Sequence, residues 1–282
     1  IDVAQPGDTV LVKIGTYTGN LTIAGKSLSL IGESRAGVII NAVTPSKYGI
    51  DANGGAFTFK SFTMNGLATE TSGDSYGLKV SGDTSSAVVE DVKVNDFRRT
   101  QFDFNGLDSL SVKNIEATNA RRGHGVALTD VANAVFENVT TSGNIWGGMN
   151  ISSKGISFPG AGTNGVRFLG TNTFGELLPI FVELNYSGSA YLPVLDVSVP
   201  GYDWSKTNFR AANGEKQWWL FATEAAANAA VIEVGSTGGT VAKMLWPVDF
   251  TYPAADIYTD SSTEKFNTAG SFTFDVPVKL SE

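Results

Sequence analysis

No cysteine occurs among the 282 residues, which excludes disulfides, a thiolate nucleophile and Cys-ligated zinc or iron–sulfur centres. One histidine is too few for a multi-histidine metal site. No segment reaches the roughly 18 to 20 consecutive apolar residues that a membrane-spanning helix needs, so membrane insertion is not expected. Charge is sparse, at 17% of residues, and 28 Asp+Glu outnumber 20 Lys+Arg for a formal net charge of -8. Such a surface repels phosphate over most of its area, which makes nucleic acid a poor partner.

What is present is enough to build a core. Hydrophobic residues make up 42% of the chain, and 32 glycines point to many turns between short strands. The length suits one large domain, or a domain with an appendage. The chain opens at Ile1 directly on a strand signal. That start is read as a processed or trimmed chain whose export signal, if it had one, is gone.

The most informative feature is repetition. One motif places an aromatic, polar or Gly residue first, usually a Gly second, then apolar, variable and apolar residues. Its copies are Tyr48-Gly49-Ile50-Asp51-Ala52, Tyr76-Gly77-Leu78-Lys79-Val80, Thr100-Gln101-Phe102-Asp103-Phe104, His124-Gly125-Val126-Ala127-Leu128 and Gly147-Gly148-Met149-Asn150-Ile151, at steps of 28, 24, 24 and 23 residues. A second motif runs out of phase with it as Phe59-Lys60-Ser61-Phe62, Val89-Glu90-Asp91-Val92, Val112-Lys113-Asn114-Ile115 and Phe136-Glu137-Asn138-Val139, at steps of 30, 23 and 24. Within each copy the alternation has period 2, the mark of a strand. A leucine-rich repeat frame is absent, and a propeller blade needs about 40 residues. One coil of a β-solenoid fits, with strands stacked in parallel about 4.8 Å apart and every coil position forming a column. Asp91, Asn114 and Asn138 then share one column, and Asn65 and Asn95 another. Their expected role is bonding backbone at coil corners.

The segment from Gly7-Asp8-Thr9-Val10-Leu11-Val12-Lys13-Ile14-Gly15-Thr16-Tyr17, with Leu21-Thr22-Ile23 and Leu28-Ser29-Leu30-Ile31-Gly32, resembles the opening of right-handed parallel β-helix proteins of the pectin-lyase-like superfamily. Ile14 stands where that opening usually has Pro. The resemblance covers residues 1–185 and implies an all-β fold, a right-handed parallel β-helix. It leaves function open, because the superfamily holds lyases, hydrolases, esterases, epimerases, phage tailspikes and adhesins. Residues 186–282 lose the period and are expected to form a β-rich cap or flanking segment, since a solenoid must cover its last coil. Val231 to Val234 and Phe272 to Val276 read as strands there, and Glu224 to Val231 as a short helix.

Aligned coils predict which side chains point outward together. Between each inward apolar pair lies the column Asp51, Lys79, Asp103, Ala127 and Asn150. Beside it run Tyr48, Tyr76, Thr100, His124 and Gly147, with Arg98, Arg99, Arg121, Arg122 and Trp146 in the approaching loops. Arginines hold uronate carboxylates bidentately and acidify the neighbouring proton, and a Tyr, His or Lys can then move it. The expected activity is therefore polysaccharide binding, extended to β-elimination of an acidic glycan with Arg98 and Arg122 on carboxylate and His124 or Tyr76 on the proton. Asp51 and Asp103, two coils apart, open a hydrolytic alternative. Gly123-His124-Gly125 is similar to a polygalacturonase motif, whose Asn-Thr-Asp, Asp-Asp and Arg-Ile-Lys partners are absent, as is the Asp-Pro-His-Asp of alginate epimerases.

The candidate catalytic residues are thus His124, Tyr76 and Asp103. The candidate ligand contacts are Tyr48, Asp51, Lys79, Arg98, Arg99, Arg121, Arg122, Trp146 and, in the tail, Trp204. No cofactor is expected, although scattered carboxylates leave a calcium ion open. The expected partner is an acidic or cell-wall glycan, and the expected state a secreted or cell-surface monomer. A non-catalytic adhesin or binding module is the rival reading.

Overall fold

The computed structural model describes residues 1–70, 73–152, 165–176, 180–183, 195–196, 209–213, 217–221 and 240–243. Among these there is no helix, so none is long and apolar enough to cross a bilayer. The chain is a parallel β-helix in which each coil has three faces. The first coil consists of β1 (Thr9–Val12), β2 (Gly15–Thr18) and β3 (Leu21–Ala24), and the second of β4 (Leu28–Gly32), β5 (Val38–Asn41) and β6 (Tyr48–Asn53). β7 (Ala56–Asn65), β8 (Tyr76–Asn95) and β9 (Phe102–Lys113) run around corners without a break, so each serves more than one face. β10 (Glu116–Thr118), β11 (His124–Thr129), β12 (Asn133–Glu137), β13 (Thr140–Ser142), β14 (Gly147–Ser152), β15 (Gly165–Leu169), β16 (Thr173–Phe174) and β17 (Ile180–Glu183) continue the winding.

Each strand pairs in parallel with its equivalent one coil on, which places period-2 apolar residues in inward columns. On the third face the register runs Leu21, Ile50, Leu78, Phe102, Val126, Met149 and Ile180. From Ile50 onward these side chains are fully buried. On the first face Phe57 lies beside Ala87, so a large buried ring is matched by a small neighbour.

The corners need backbone that most residues avoid. Ser61, Asp91, Asn114 and Asn138 turn the first face into the second with φ of 57°, 55°, 53° and 55°. Asp96 and Asn119, at 62° and 61°, turn the second face into the third. A short polar side chain tolerates this left-handed region because it bonds locally. The second sequence motif is therefore a corner device. Asparagines at the corners also bond from coil to coil: in this motif Asn138 Nδ2 donates to Asn114 Oδ1 at 3.0 Å, and before the next corner Asn65 Nδ2 donates to Asn41 Oδ1 at 3.0 Å. Asn65 and Asn95 share a column as expected. Just before the first corner, Lys60, Glu90, Lys113 and Glu137 stack with alternating sign, Lys60 meeting Glu90 at 2.7 Å and Lys113 meeting Glu137 at 2.9 Å.

The winding ends differently. β18 (Leu195–Asp196) still pairs in parallel, with β15, and so continues the first face past residue 185. On the third face β17 is met by an antiparallel strand, β20 (Gln217–Phe221), with Trp218 and Trp219 in that strand. β20 in turn pairs with β19 (Phe209–Asn213), and β19 with β21 (Thr240–Lys243), all antiparallel. The helix expected at 224–231 and the strands expected at 231–234 and 272–276 lie outside the described residues.

Asn114→Ala should cost about 1–2 kcal/mol, because it removes a ladder bond and leaves an unassisted β-carbon at positive φ. Asn114→Gly loses the bond but keeps the backbone comfortable, so its cost should be smaller. Urea denaturation of the pair checks this, and a larger loss for Gly than for Ala contradicts the corner assignment.

Candidate functional site

The third face carries the first sequence motif, and its geometry begins with the glycines. A β-carbon on Gly125 would sit 2.8 Å from both Asn144 Nδ2 and the Gly148 carbonyl, and one on Gly77 would strike the Gln101 carbonyl. The chain enters this face so close to its neighbours that only glycine fits. Gly123 is equally confined, against the backbone of Arg99 and Thr100. The Gly123-His124-Gly125 triplet therefore has a packing cause of its own.

Past each glycine the outward residues fall into register as expected: Asp51 pairs with Lys79, Lys79 with Asp103, Asp103 with Ala127 and Ala127 with Asn150. Tyr48 pairs with Tyr76, their rings 5.4 Å apart and tilted by 48°. Lys79 ties the two columns together. Its Nζ lies 3.4 Å from Asp103 Oδ2, donates to the Tyr48 hydroxyl at 3.4 Å and sits 4.8 Å from the Tyr48 ring centre. Burial works against its charge, but attraction to Asp103 and Tyr48 raises its pKa above the ordinary lysine value. Asp51, partly buried and near Asp103, has its carboxyl pKa raised by burial foremost, with Lys79 pulling the other way. Asn105 Nδ2 donates to Asp103 Oδ1 at 2.8 Å.

From Tyr76 the contacts continue along the axis. The Arg99 guanidinium stands 5.8 Å from the Tyr76 ring centre and 4.3 Å from that of Trp146. Trp146 meets His124 edge-on at 5.7 Å. The two are enclosed, with His124 only 3% exposed and Trp146 8%. Burial, and secondarily the Arg99 charge, pushes the His124 pKa down to about 3, so the imidazole is neutral and a weak base at neutral pH. Trp146 backs Arg99 from inside instead of presenting a ring to solvent.

The arginines depart most from expectation. Arg121 was expected at the ligand, but its two terminal nitrogens are taken up by backbone carbonyls, Nη1 donating to Ala68 and Glu70 at 2.7 Å each and Nη2 to Leu67 at 2.6 Å and Asp96 at 3.2 Å. Arg98 Nη1 donates to the Gly73 carbonyl and lies 3.3 Å from Asp74 Oδ1, and Arg99 Nε lies 3.7 Å from the same oxygen. Three guanidinium groups thus pin the connection that precedes Tyr76. Long connections leave carbonyls without strand partners, and arginine's five-donor fork can serve several at once. Arg122 sits one coil on from Arg98, whose carbonyl accepts its amide at 2.6 Å.

The sequence reading missed Asp74, the carboxylate that Arg98 and Arg99 both face, and Asn105, the partner of Asp103. Asn105 was findable: adding two to each position of the outward column yields Asn53, Ser81, Asn105 and Thr129, a second polar column on the same face. Asp74 had no signal, since it lies in a connection outside the repeat. Trp204 lies outside the described residues. Among the described residues no three His, Asp or Glu side chains come together as a metal site would require.

No family model and no curated protein matches the chain. Among solved structures, a crystal structure of pectin methylesterase in complex with a hexasaccharide matches 61% of this chain and 73% of that one, at 19% identity and a TM-score of 0.36.

Two outcomes are expected. Arg121→Met should lower stability by about 2–3 kcal/mol, since it leaves several carbonyls unpartnered, and thermal melting measures it. The pH test uses the sole histidine. Its folded pKa lies below the unfolded value of about 6.5, so its contribution is complete above pH 6.5 and is lost as pH falls from there toward 3. Between about pH 6.5 and 5.5 the wild type should lose stability relative to His124→Gln, by at most about 1.4 kcal/mol per unit. Parallel stability curves for the two would show that His124 is not enclosed.

Proposed function

We propose that the third face is a polysaccharide-binding wall and that the chain works outside the cell or on its surface. The observation that carries this is the in-register pairing of Tyr48 with Tyr76 beside the Lys79–Asp103 pair. Tilted rings offer apolar faces to sugar rings, and the neighbouring Asp51, Lys79, Asp103 and Asn105 offer donors and acceptors to hydroxyls. Because both sets lie along the solenoid axis, they suit an extended chain of sugars better than a compact ligand.

The charge on this wall bears on which glycan. Arg98, Arg99 and Arg121 are engaged by the protein itself, and the outward column holds Asp51 and Asp103 against one Lys79. That favours a neutral cell-wall glycan over a polyuronate, whose carboxylates would meet two aspartates. Elimination chemistry draws less support than binding, because the imidazole offered as base is enclosed and has a pKa near 3. One observation favours a second reading, glycoside hydrolysis. Asp51 holds its proton more tightly than an ordinary carboxylate and shares a column with Asp103, which faces an ammonium group. A carboxyl that keeps its proton is what the acid role in such a pair requires.

Pull-down on insoluble neutral polysaccharides, alongside pectate and alginate, tests this with product assays on the supernatant. Retention without product is expected, and Tyr48→Ala combined with Tyr76→Ala should weaken it about tenfold. Retention that survives the double variant but is lost in Trp204→Ala moves the site to the tail. An unsaturated, ultraviolet-absorbing product establishes elimination. New reducing ends that vanish in Asp51→Asn establish hydrolysis.

A further inference from the structure

The Tyr76 ring lies between two cations. Lys79 Nζ stands 5.9 Å from its centre and the Arg99 guanidinium 5.8 Å. Each cation faces a carboxylate of this chain: Lys79 that of Asp103 at 3.4 Å, and Arg99, through Nε, that of Asp74 at 3.7 Å. The two carboxylates are placed differently. Asp103 belongs to the outward column of the third face, where the ladder fixes it beside Lys79, and it is buried. Asp74 lies in the connection before Tyr76, outside any strand, and its side chain is 56% exposed. Asp74 also serves Arg98, whose Nη1 donates to Asp74 Oδ1 at 3.3 Å. One open carboxylate oxygen is thus shared by two guanidinium groups whose own side chains are largely covered, at 15% and 18% exposure.

The needs of the fold do not account for this arrangement. Arg98 Nη1 has an anchor of its own in the Gly73 carbonyl, and the Arg99 guanidinium is stacked 4.3 Å from the Trp146 ring centre. An ion pair with so open a carboxylate adds little to stability. What Asp74 changes is the charge beside Tyr76. A carboxylate is the group that guanidinium groups recognise best in a ligand. Asp74 supplies that group from within the chain, so a ligand carboxylate arriving at Tyr76 meets guanidiniums already matched and a like charge beside them. Specificity often comes from such an unfavourable element set against the wrong ligand.

We propose that Asp74 is a specificity-determining residue, an internal carboxylate that occupies Arg98 and Arg99 and so keeps acidic sugar chains off the third face. The proposal rests on the reading of that face as a polysaccharide-binding wall, and it names the side chain that selects neutral over acidic chains there. Removing the charge of Asp74 takes this counter-ion from both guanidiniums, and a uronate carboxylate can then take its place.

Calorimetric titration tests this with a matched pair of probes, oligogalacturonate and the same oligomer with its carboxyls methyl-esterified, which lacks the charge. Asp74→Asn keeps the shape of the side chain, and far-ultraviolet circular dichroism confirms that each variant is folded. Asp74→Asn should bind oligogalacturonate at least about tenfold more tightly than the wild type does, with no comparable gain for the ester. The gain should shrink as salt is raised, because exposed charges are screened. It should be lost when Arg99→Gln is added to Asp74→Asn, and be absent in Asp108→Asn, which removes one charge at an exposed position of β9. An unchanged affinity for oligogalacturonate in folded Asp74→Asn overturns the proposal. So does an equal gain for the ester or in Asp108→Asn, a gain that survives the loss of Arg99, or a wild type that already binds the acid more tightly than the ester. Wild-type retention on insoluble neutral polysaccharides is read separately, so failure of the binding wall and failure of Asp74 as its selector are distinguishable.

Discussion

The parallel backbone ladder is the constraint on which the rest of this molecule depends. Once one coil stacks on another with strands about 4.8 Å apart, each residue is committed to a column, and whatever occupies that position in the next coil becomes its neighbour. The interior accepts this easily, because apolar side chains of different size can interleave, as Phe57 does with Ala87. The corners accept it only with special residues, which is why Asn, Asp and Gly recur there at positive φ. The surface accepts it by alternating charge, as in the Lys60–Glu90–Lys113–Glu137 column.

The same constraint shapes the candidate site. Stacking put Asp51, Lys79 and Asp103 on one line and Tyr48 against Tyr76, so a single outward wall arises from residues scattered over more than fifty positions of sequence. It also created a demand elsewhere. The connection before Tyr76 is longer than its counterparts and has carbonyls that no strand satisfies, and Arg121 and Arg98 answer that demand. Basic residues clustered in sequence were thus drawn to backbone oxygens, and the wall was left with rings, two carboxylates and one ammonium group. His124 followed a similar course. Its column places it where Trp146 and Arg99 close over it, and an enclosed imidazole gives up its charge.

The third face shows what happens where parallel stacking stops. On the third face an antiparallel strand, β20, takes the edge of β17 where a further parallel coil would otherwise stack.

Much of this was legible from the chain alone. Period-2 alternation repeated every 23 to 30 residues determined the parallel coils, the inward columns and the outward partners Asp51, Lys79 and Asp103, because ladder geometry converts spacing directly into adjacency. The polar corner positions were legible for the same reason. Where a flexible side chain ends up is another matter. Arg121, Arg98 and Arg99 each had several acceptors within reach, and the choice depended on which carbonyls and carboxylates a non-repeating connection left unsatisfied. The enclosure of His124, and with it the loss of its proton, likewise depended on neighbours from other coils. Periodic backbone order is written locally and repeated, so it can be read in one dimension. The partners of long polar side chains and the protonation of buried ones are settled by three-dimensional competition, which only the folded coils resolve.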